Sequence, residues 1–177
     1  NFYWRGMCKY QMKDYENALP DLNKAIELKD APKDWHFYWR GMCKYELKDY
    51  ENALSDFNKA IEINDAPKDW HFYWRGMCKY EMDDFENALP DLNKAIELKD
   101  APTYLHFYWT GKCKYQMDDY ENALPDFNKA LELKEDDGNF YWRGMCKYQM
   151  KDYENALPDL NKAIELKDAP KDWHFYW

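Results

Sequence analysis

Four histidines, five cysteines and a single serine are the first side chains to test as metal ligands or nucleophiles in this chain. His36, His71, His106 and His174 lie at least 35 residues apart. No Cys-x2-Cys or His-x3-His pair brings ligands together at zinc-site spacing. The histidines are expected to be solvated or to sit at helix N-termini. Cys8, Cys43, Cys78, Cys113 and Cys146 are just as dispersed, and no glycine-rich phosphate loop is present. Ser55 stands alone. A catalytic centre is normally a unique constellation, whereas here the cysteines recur along the chain. Neither a catalytic residue, a metal nor a cofactor is expected.

Two other sets of residues carry chemistry of a different kind. Arg5, Arg40, Arg75 and Arg143 are each followed sixteen residues later by Asp21, Asp56, Asp91 and Asp159. Such a spacing lets a guanidinium meet a carboxylate across two helices, satisfying both charges. At the equivalent place Thr110 precedes Asp126, so one pair should be missing. The second set is aromatic. Trp, Tyr and Phe make up 19% of the chain, and they fall in stripes such as Trp35, Tyr38, Trp39, Met42 and Tyr45. Rigid amphipathic rings of this kind suit a partner surface.

What positions these residues is a repeat. Phe-Tyr-Trp recurs at residues 2, 37, 72, 107, 140 and 175, at spacings of 35, 35, 35, 33 and 35. Repeats of this length mark solenoids and arrays. Residues 1–39 and 139–177 are identical, so a longer period of 138 residues is superimposed. The repeats run 1–34, 35–69, 70–104, 105–138 and 139–173, with a further one opening at 174–177. The seam at residues 134–139 is two residues shorter than the other linkers and should alter the stacking of the last hairpin. There the helix should lack the equivalent of Trp35 and have a shorter first turn. The first residue is Asn and falls inside a repeat, which reads as a segment of something longer.

Within each repeat the apolar period is that of two helices. In the second, Trp35, Tyr38, Trp39, Met42 and Tyr45 define helix A, with Asp34 as candidate N-cap behind Pro32. Asp49 can cap helix B, which carries Tyr50, Ala53, Leu54, Phe57, Ala60 and Ile61. Helix A is expected at about 2–13, 35–47, 70–82, 105–117 and 140–150. Helix B should follow after a two-residue turn, antiparallel to A. Gly41 costs about 1 kcal/mol of helix propensity, and close contact with helix B should offset it. Pro20, Pro90, Pro125 and Pro158 fall early in helix B, where a lost N–H is tolerated best. Stacked helices stand about 8–10 Å apart, so cysteines of neighbouring repeats should stay unpaired, as small core residues.

Phe37, Arg40, Gly41 and Lys44, then Ala53 and Phe57, then a trailing Pro67, resemble the tetratricopeptide-repeat pattern. Phe stands for its Trp, Arg for its Leu, and the Pro arrives late. The resemblance covers the whole chain. It implies an all-α, right-handed superhelical solenoid of about five hairpins, with helix A lining the concave face and helix B the convex one. It also implies a non-enzymatic scaffold that binds peptides or proteins.

On that arrangement the aromatic stripe forms a wall along the groove, a surface for binding or assembly. Its residues are Tyr3, Trp4, Met7, Tyr10, Trp35, Tyr38, Trp39, Met42, Tyr45, Trp70, Tyr73, Trp74, Met77, Tyr80, Tyr108, Trp109, Tyr115, Tyr141, Trp142, Met145 and Tyr148. Packing between successive A helices is the alternative use of the same rings. A net charge of −9 repels phosphate backbones, so nucleic acid is not an expected partner. A mean hydropathy of −1.00 leaves no stretch for a membrane span. Two functions stay open: a structural array stacking end to end, and a peptide- or protein-binding module. Because the groove is nearly uniform, its partner should be repetitive, including further copies of the chain. The compartment is open, cytoplasmic for a binding module or extracellular for a filament.

Overall fold

A computed structural model describes residues 1–28 and 32–168. Among them are ten helices and no strand: α1 Phe2–Gln11, α2 Tyr15–Glu27, α3 Asp34–Glu46, α4 Tyr50–Glu62, α5 Asp69–Glu81, α6 Phe85–Leu98, α7 Tyr104–Gln116, α8 Tyr120–Leu133, α9 Asp137–Gln149 and α10 Tyr153–Asp168. They form five antiparallel hairpins of A and B helices, the all-α repeat fold expected. The chain divides into two compact bodies, residues 1–100 with three hairpins and 101–177 with two. The expected start of a further helix at 173–177 lies outside the described residues.

The turn between A and B has three residues, not two. After α3, Lys48 adopts φ 61°, its N–H donates to Tyr45 O at 2.8 Å, and Asp49 N–H donates to Lys44 O at 2.9 Å. These two bonds close a Schellman motif around a left-handed residue that is lysine rather than glycine. The same conformation recurs at Lys13, Asp83, Asp118 and Lys151. Asp49 is at once the end of that motif and the residue before α4. Its carbonyl accepts Ala53 N–H at 3.0 Å, while its carboxylate holds the Asn52 amide at 2.9 Å. The expected cap by the carboxylate on a backbone N–H is thus replaced by a side-chain pair.

The A helices start differently from expectation too. Asp34 is the first helical residue, and the N-cap is Lys33 in extended conformation. His36, third in the helix, accepts the Lys33 backbone N–H on Nδ1 at 3.1 Å. His71 does so with Lys68 at 3.0 Å and His106 with Thr103 at 3.2 Å. All three are buried, so the helix-N-terminal role holds and the solvated one does not. Pro20, Pro90, Pro125 and Pro158 sit at the sixth helical position, a turn deeper than the first. Each is on the exposed side, where the carbonyl four residues back can be hydrated.

Each hairpin closes on the glycine of helix A. A Cβ built on Gly41 would lie 3.0 Å from Phe57 Cε1 and 3.3 Å from Asp56 Cβ. Hydrogen at that position is what lets the two backbones approach, as expected. Within each body successive hairpins then meet through the cysteines. Cys43 packs on Ala18 and Leu22, Cys78 on Ala53 and Phe57, and Cys146 on Ala123 and Phe127. Each is a helix A thiol against the preceding helix B. Cys8 departs from the expected burial. It is exposed because α1, first among the described helices, has no helix B on that side.

At the seam only Lys134, Glu135 and Asp136 separate α8 from α9, against residues 63–68 between α4 and α5. Yet α9 is 13 residues long, the same as α3 and α5, so the expected shorter first turn is wrong. Asp137 and Gly138 occupy the places of Asp34 and Trp35, and the Asp136 carboxylate caps Asn139 N–H at 2.9 Å.

Two measurements check this packing. Thiol labelling of the native chain should modify Cys8 quickly and the other four only on unfolding. Burial, with Glu46 or Glu81 nearby, pushes the Cys43 and Cys78 thiols up to about 12. Gly41→Val should lower stability by about 1–3 kcal/mol in denaturant titration, through overpacking against Phe57.

Candidate functional site

The aromatic stripe forms a staircase from one A helix to the next. Tyr10 meets Trp39 edge to face with centroids 5.2 Å apart, and Tyr45 meets Trp74 at 5.1 Å. Tyr115 meets Trp142 at 5.0 Å in the second body. Tyr38 adds a contact to Trp70 at 4.2 Å, and Trp142 Nε1 donates to the Tyr108 hydroxyl at 3.1 Å. Each edge-to-face pair is worth about 0.5–1.5 kcal/mol beyond its buried area. Burial, with a smaller effect from Asp69, pushes the Tyr38 hydroxyl up to about 12, so it stays neutral.

The expected wall therefore divides into three groups. Met42, Met77 and Tyr80 are buried core and cannot line a groove, a correction to the expected wall; Met42, for one, packs among Ala53, Phe57 and Cys78. Trp4, Trp35, Tyr141 and Tyr148 are 63%, 43%, 44% and 50% exposed. The other residues of the set are half-buried. Sequence reasoning missed Lys112, which replaces the methionine of the other repeats. Its ammonium lies 4.4 Å from the Trp109 ring, 5.1 Å from Trp142 and 5.5 Å from Tyr108. A cation among three ring faces is favoured by their quadrupoles, and the lone Met-to-Lys change was the signal for it.

The arginine–aspartate pairs form across the hairpins as expected. Arg40 Nε donates to Asp56 Oδ2 at 2.9 Å and its NH2 to Oδ1 at 2.5 Å. Lys44 adds a second cation on Asp56 at 2.7 Å. The guanidinium lies 5.6 Å above the Phe37 ring, and its NH1 reaches Asn23 on the preceding helix B at 3.0 Å. One arginine thus ties its own hairpin and the one before. Arg5 pairs likewise with Asp21, Arg75 with Asp91 and Arg143 with Asp159. The Arg5 bonds hold the Asp21 carboxyl down at about 2, against burial. Burial pushes Asp159 up, but Arg143 and Lys147 outweigh it and hold it low. In α7/α8, Thr110 turns its hydroxyl to its own helix, onto His106 O at 2.9 Å. Among the described residues only Lys114 remains on Asp126, and burial raises that carboxyl.

A third set joins repeats at the linker. His71 Nδ1 accepts a backbone N–H, so the ring proton sits on Nε2, 3.2 Å from Asp34 Oδ2. Asn64 donates to the same oxygen at 2.6 Å. At the seam both partners change together, aspartate to Tyr104 and histidine to Asn139. The Tyr104 hydroxyl takes Lys134 Nζ at 2.9 Å, and the buried Asn139 Oδ1 has no partner among the described residues. The paired substitution was legible in sequence, though nothing there linked two positions 35 residues apart.

Among the described residues no three His, Cys, Asp or Glu side chains converge on a possible metal position, and no helix is long and apolar enough to cross a membrane. What the arrangement supplies is ordered aromatic and charged surface.

Histidine burial has a pH consequence. Burial lowers the His71 pKa despite Asp34 and the Lys68 backbone, so the folded value lies below the usual 6.5. A depressed histidine stabilises the fold above pH 6.5, and that contribution is lost as pH falls through the folded value. Protonation would also place a hydrogen on Nδ1 facing the Lys68 N–H. Urea titrations from pH 7 to 5 should show stability declining, with a shallower decline in His71→Asn.

Two models of the tetratricopeptide repeat match the sequence, one over residues 36–65 and the other over 1–32, 72–102, 107–137 and 139–170. No relative was found among curated proteins. The fold is similar to that of MamA residues 41-end from Desulfovibrio magneticus RS-1, with a TM-score of 0.88, 19% identity, and 96% of this chain and 95% of that one covered. It is similar also to YrrB, described as a TPR protein with an unusual peptide-binding site, with a TM-score of 0.82, 24% identity, and 95% and 86% covered. A further MamA structure gives a TM-score of 0.84 at 16% identity, over 99% of this chain and 95% of that one. Members of this repeat family are in general non-catalytic protein-interaction modules. With its model matched in all five hairpins, the chain belongs to the tetratricopeptide-repeat family, as an all-α solenoid of helical hairpins.

Proposed function

We propose that the chain is a structural and protein-interaction scaffold, a stretch of repetitive array whose hairpins stack end to end. One observation carries this reading, the outer face of α9/α10. Tyr141, Leu157 and Ile164 are 44%, 60% and 60% exposed there. Their equivalents in α3/α4, Tyr38, Leu54 and Ile61, are half-buried, with Tyr38 against Trp70 of the next A helix. The exposed face is thus chemically suited to a further A helix beginning Trp-His-Phe-Tyr-Trp. That sequence stands at 35–39, 70–74 and 173–177, the last outside the described residues. A head-to-tail contact of this kind propagates instead of closing. The rings support the same reading, since most are engaged between successive A helices.

A second reading is a peptide- or protein-binding module that uses a concave groove lined by the A helices. The exposed Trp4 and Trp35 favour it, as does the peptide-binding site named for the structurally similar YrrB. On either reading the scaffold acts by contact and needs no cofactor.

Sedimentation velocity over a concentration series separates the two. End-to-end stacking should give species growing beyond the 21.7 kDa of one chain. Leu157→Asp combined with Ile164→Asp, both at exposed positions, should return the protein to a single chain. Uniform 21.7 kDa particles throughout the series would overturn the array reading and leave the binding module.

A further inference from the structure

Four hairpins build one constellation and fill it themselves. An aspartate on helix B takes the fork of an arginine, and a phenylalanine three residues before that arginine lies beneath the guanidinium. The rings of Phe2, Phe37, Phe72 and Phe140 are 5.2, 5.6, 5.4 and 5.5 Å from it. The Nε to Oδ2 distance is 2.8–2.9 Å in all four. The hairpin α7/α8 keeps the aspartate, Asp126, and the phenylalanine, Phe107, at the same register, but has Thr110 in place of arginine.

Nothing in that hairpin takes over the guanidinium's role. Thr110 bonds back to its own helix, and Lys114 engages Asp126 through Oδ2 alone. The Asp126 side chain is 14% exposed, against 4%, 3%, 6% and 6% for Asp21, Asp56, Asp91 and Asp159. It is therefore the most open of the five carboxylates, and burial keeps its charge costly with one cation instead of two.

We propose that Asp126 and the Phe107 ring form a guanidinium-binding site that takes an arginine side chain from a protein partner. The four self-filled copies are its template: a planar fork on the carboxylate, over an aromatic face. Lysine fits it less well, since Lys114 already holds one oxygen and a second ammonium cannot span both. The acidic chain, at net −9, attracts a basic partner. Because only one hairpin in five has this change, an arginine there sets the partner's register along an otherwise uniform scaffold. The site lies within α7/α8 and does not depend on end-to-end stacking.

The test is an NMR titration of the full chain, carboxyl-labelled at aspartate, with N-acetyl-arginine amide and, separately, N-acetyl-lysine amide. The arginine probe should give a saturable shift of the Asp126 carboxyl, at least roughly tenfold tighter than the lysine probe. Asp126→Asn, which lacks the reporting carboxyl, should abolish binding of the arginine probe followed by isothermal titration calorimetry. Thr110→Arg should abolish it too, by supplying the guanidinium internally. Arg40→Thr should create a second saturable site at Asp56. Absence of saturation, equal response to both probes, or a response that survives in Thr110→Arg with circular dichroism unchanged would overturn the proposal. If Thr110→Arg does not fold, the Asp126→Asn and Arg40→Thr variants decide.

Discussion

Four of the five described hairpins depend on burying one carboxylate under two cations. Taking a carboxylate out of water costs several kcal/mol unless charges and hydrogen bonds replace the solvent. Asp56 is 2% exposed, and Arg40 and Lys44 approach its two oxygens from one side. Those cations are four residues apart on α3, one helical turn, so both reach the carboxylate only in one register of A against B. Gly41 belongs to the same contact, for Asp56 Cβ lies 3.3 Å from where its Cβ would be. Close approach and charge pairing thus enforce one another. The glycine gives up helix propensity, and the ion cluster and the Phe57 contact offset that loss.

Stacking of hairpins follows from the same element. Arg40 spends its remaining nitrogen on Asn23 of the preceding helix B, and Cys43 lies on Ala18 and Leu22 of that helix. Tyr10 and Trp39 then close the seam between A helices. The second repeat thus meets the first through a small thiol, an edge-to-face ring pair and a polar arm. Stability in such an array is nearly a sum of hairpins and interfaces. The fourth repeat departs in a correlated way. It loses the arginine, exchanges methionine for Lys112 and pairs Tyr104 with Lys134 in place of the aspartate–histidine contact. The uniform repeats supply extension, and this one supplies a position that differs.

These contacts also bear on function. A tetratricopeptide-repeat scaffold acts through whichever faces its own packing leaves uncovered. Here the aromatic residues are largely consumed in holding successive A helices together, while the outer face of α9/α10 keeps Tyr141, Leu157 and Ile164 exposed. Aromatic richness alone therefore does not locate a ligand groove; the balance between internal contacts and exposed faces does.

Helix content, the A and B register, the glycine contact and the four Arg–Asp pairs were all legible in the residues. Each follows from local periodicity or from a spacing repeated in nearly identical copies, and repetition averages out the accidents of a single segment. The three-residue turn was not legible. A left-handed lysine or aspartate is disfavoured in isolation, and only the two Schellman bonds stabilise Lys48 in that conformation. Nor was the burial of His36 and His71, because a histidine at a helix start is buried only if the preceding hairpin covers it. The division of the aromatic stripe had the same cause: Met42 and Tyr80 share a helical period with Trp4 and Tyr148, yet the former are core and the latter exposed. By itself the sequence determined which residues share a helix face. Tertiary structure alone decided which neighbour covers that face, since coverage depends on how one hairpin stacks on the next and not on any spacing within a repeat.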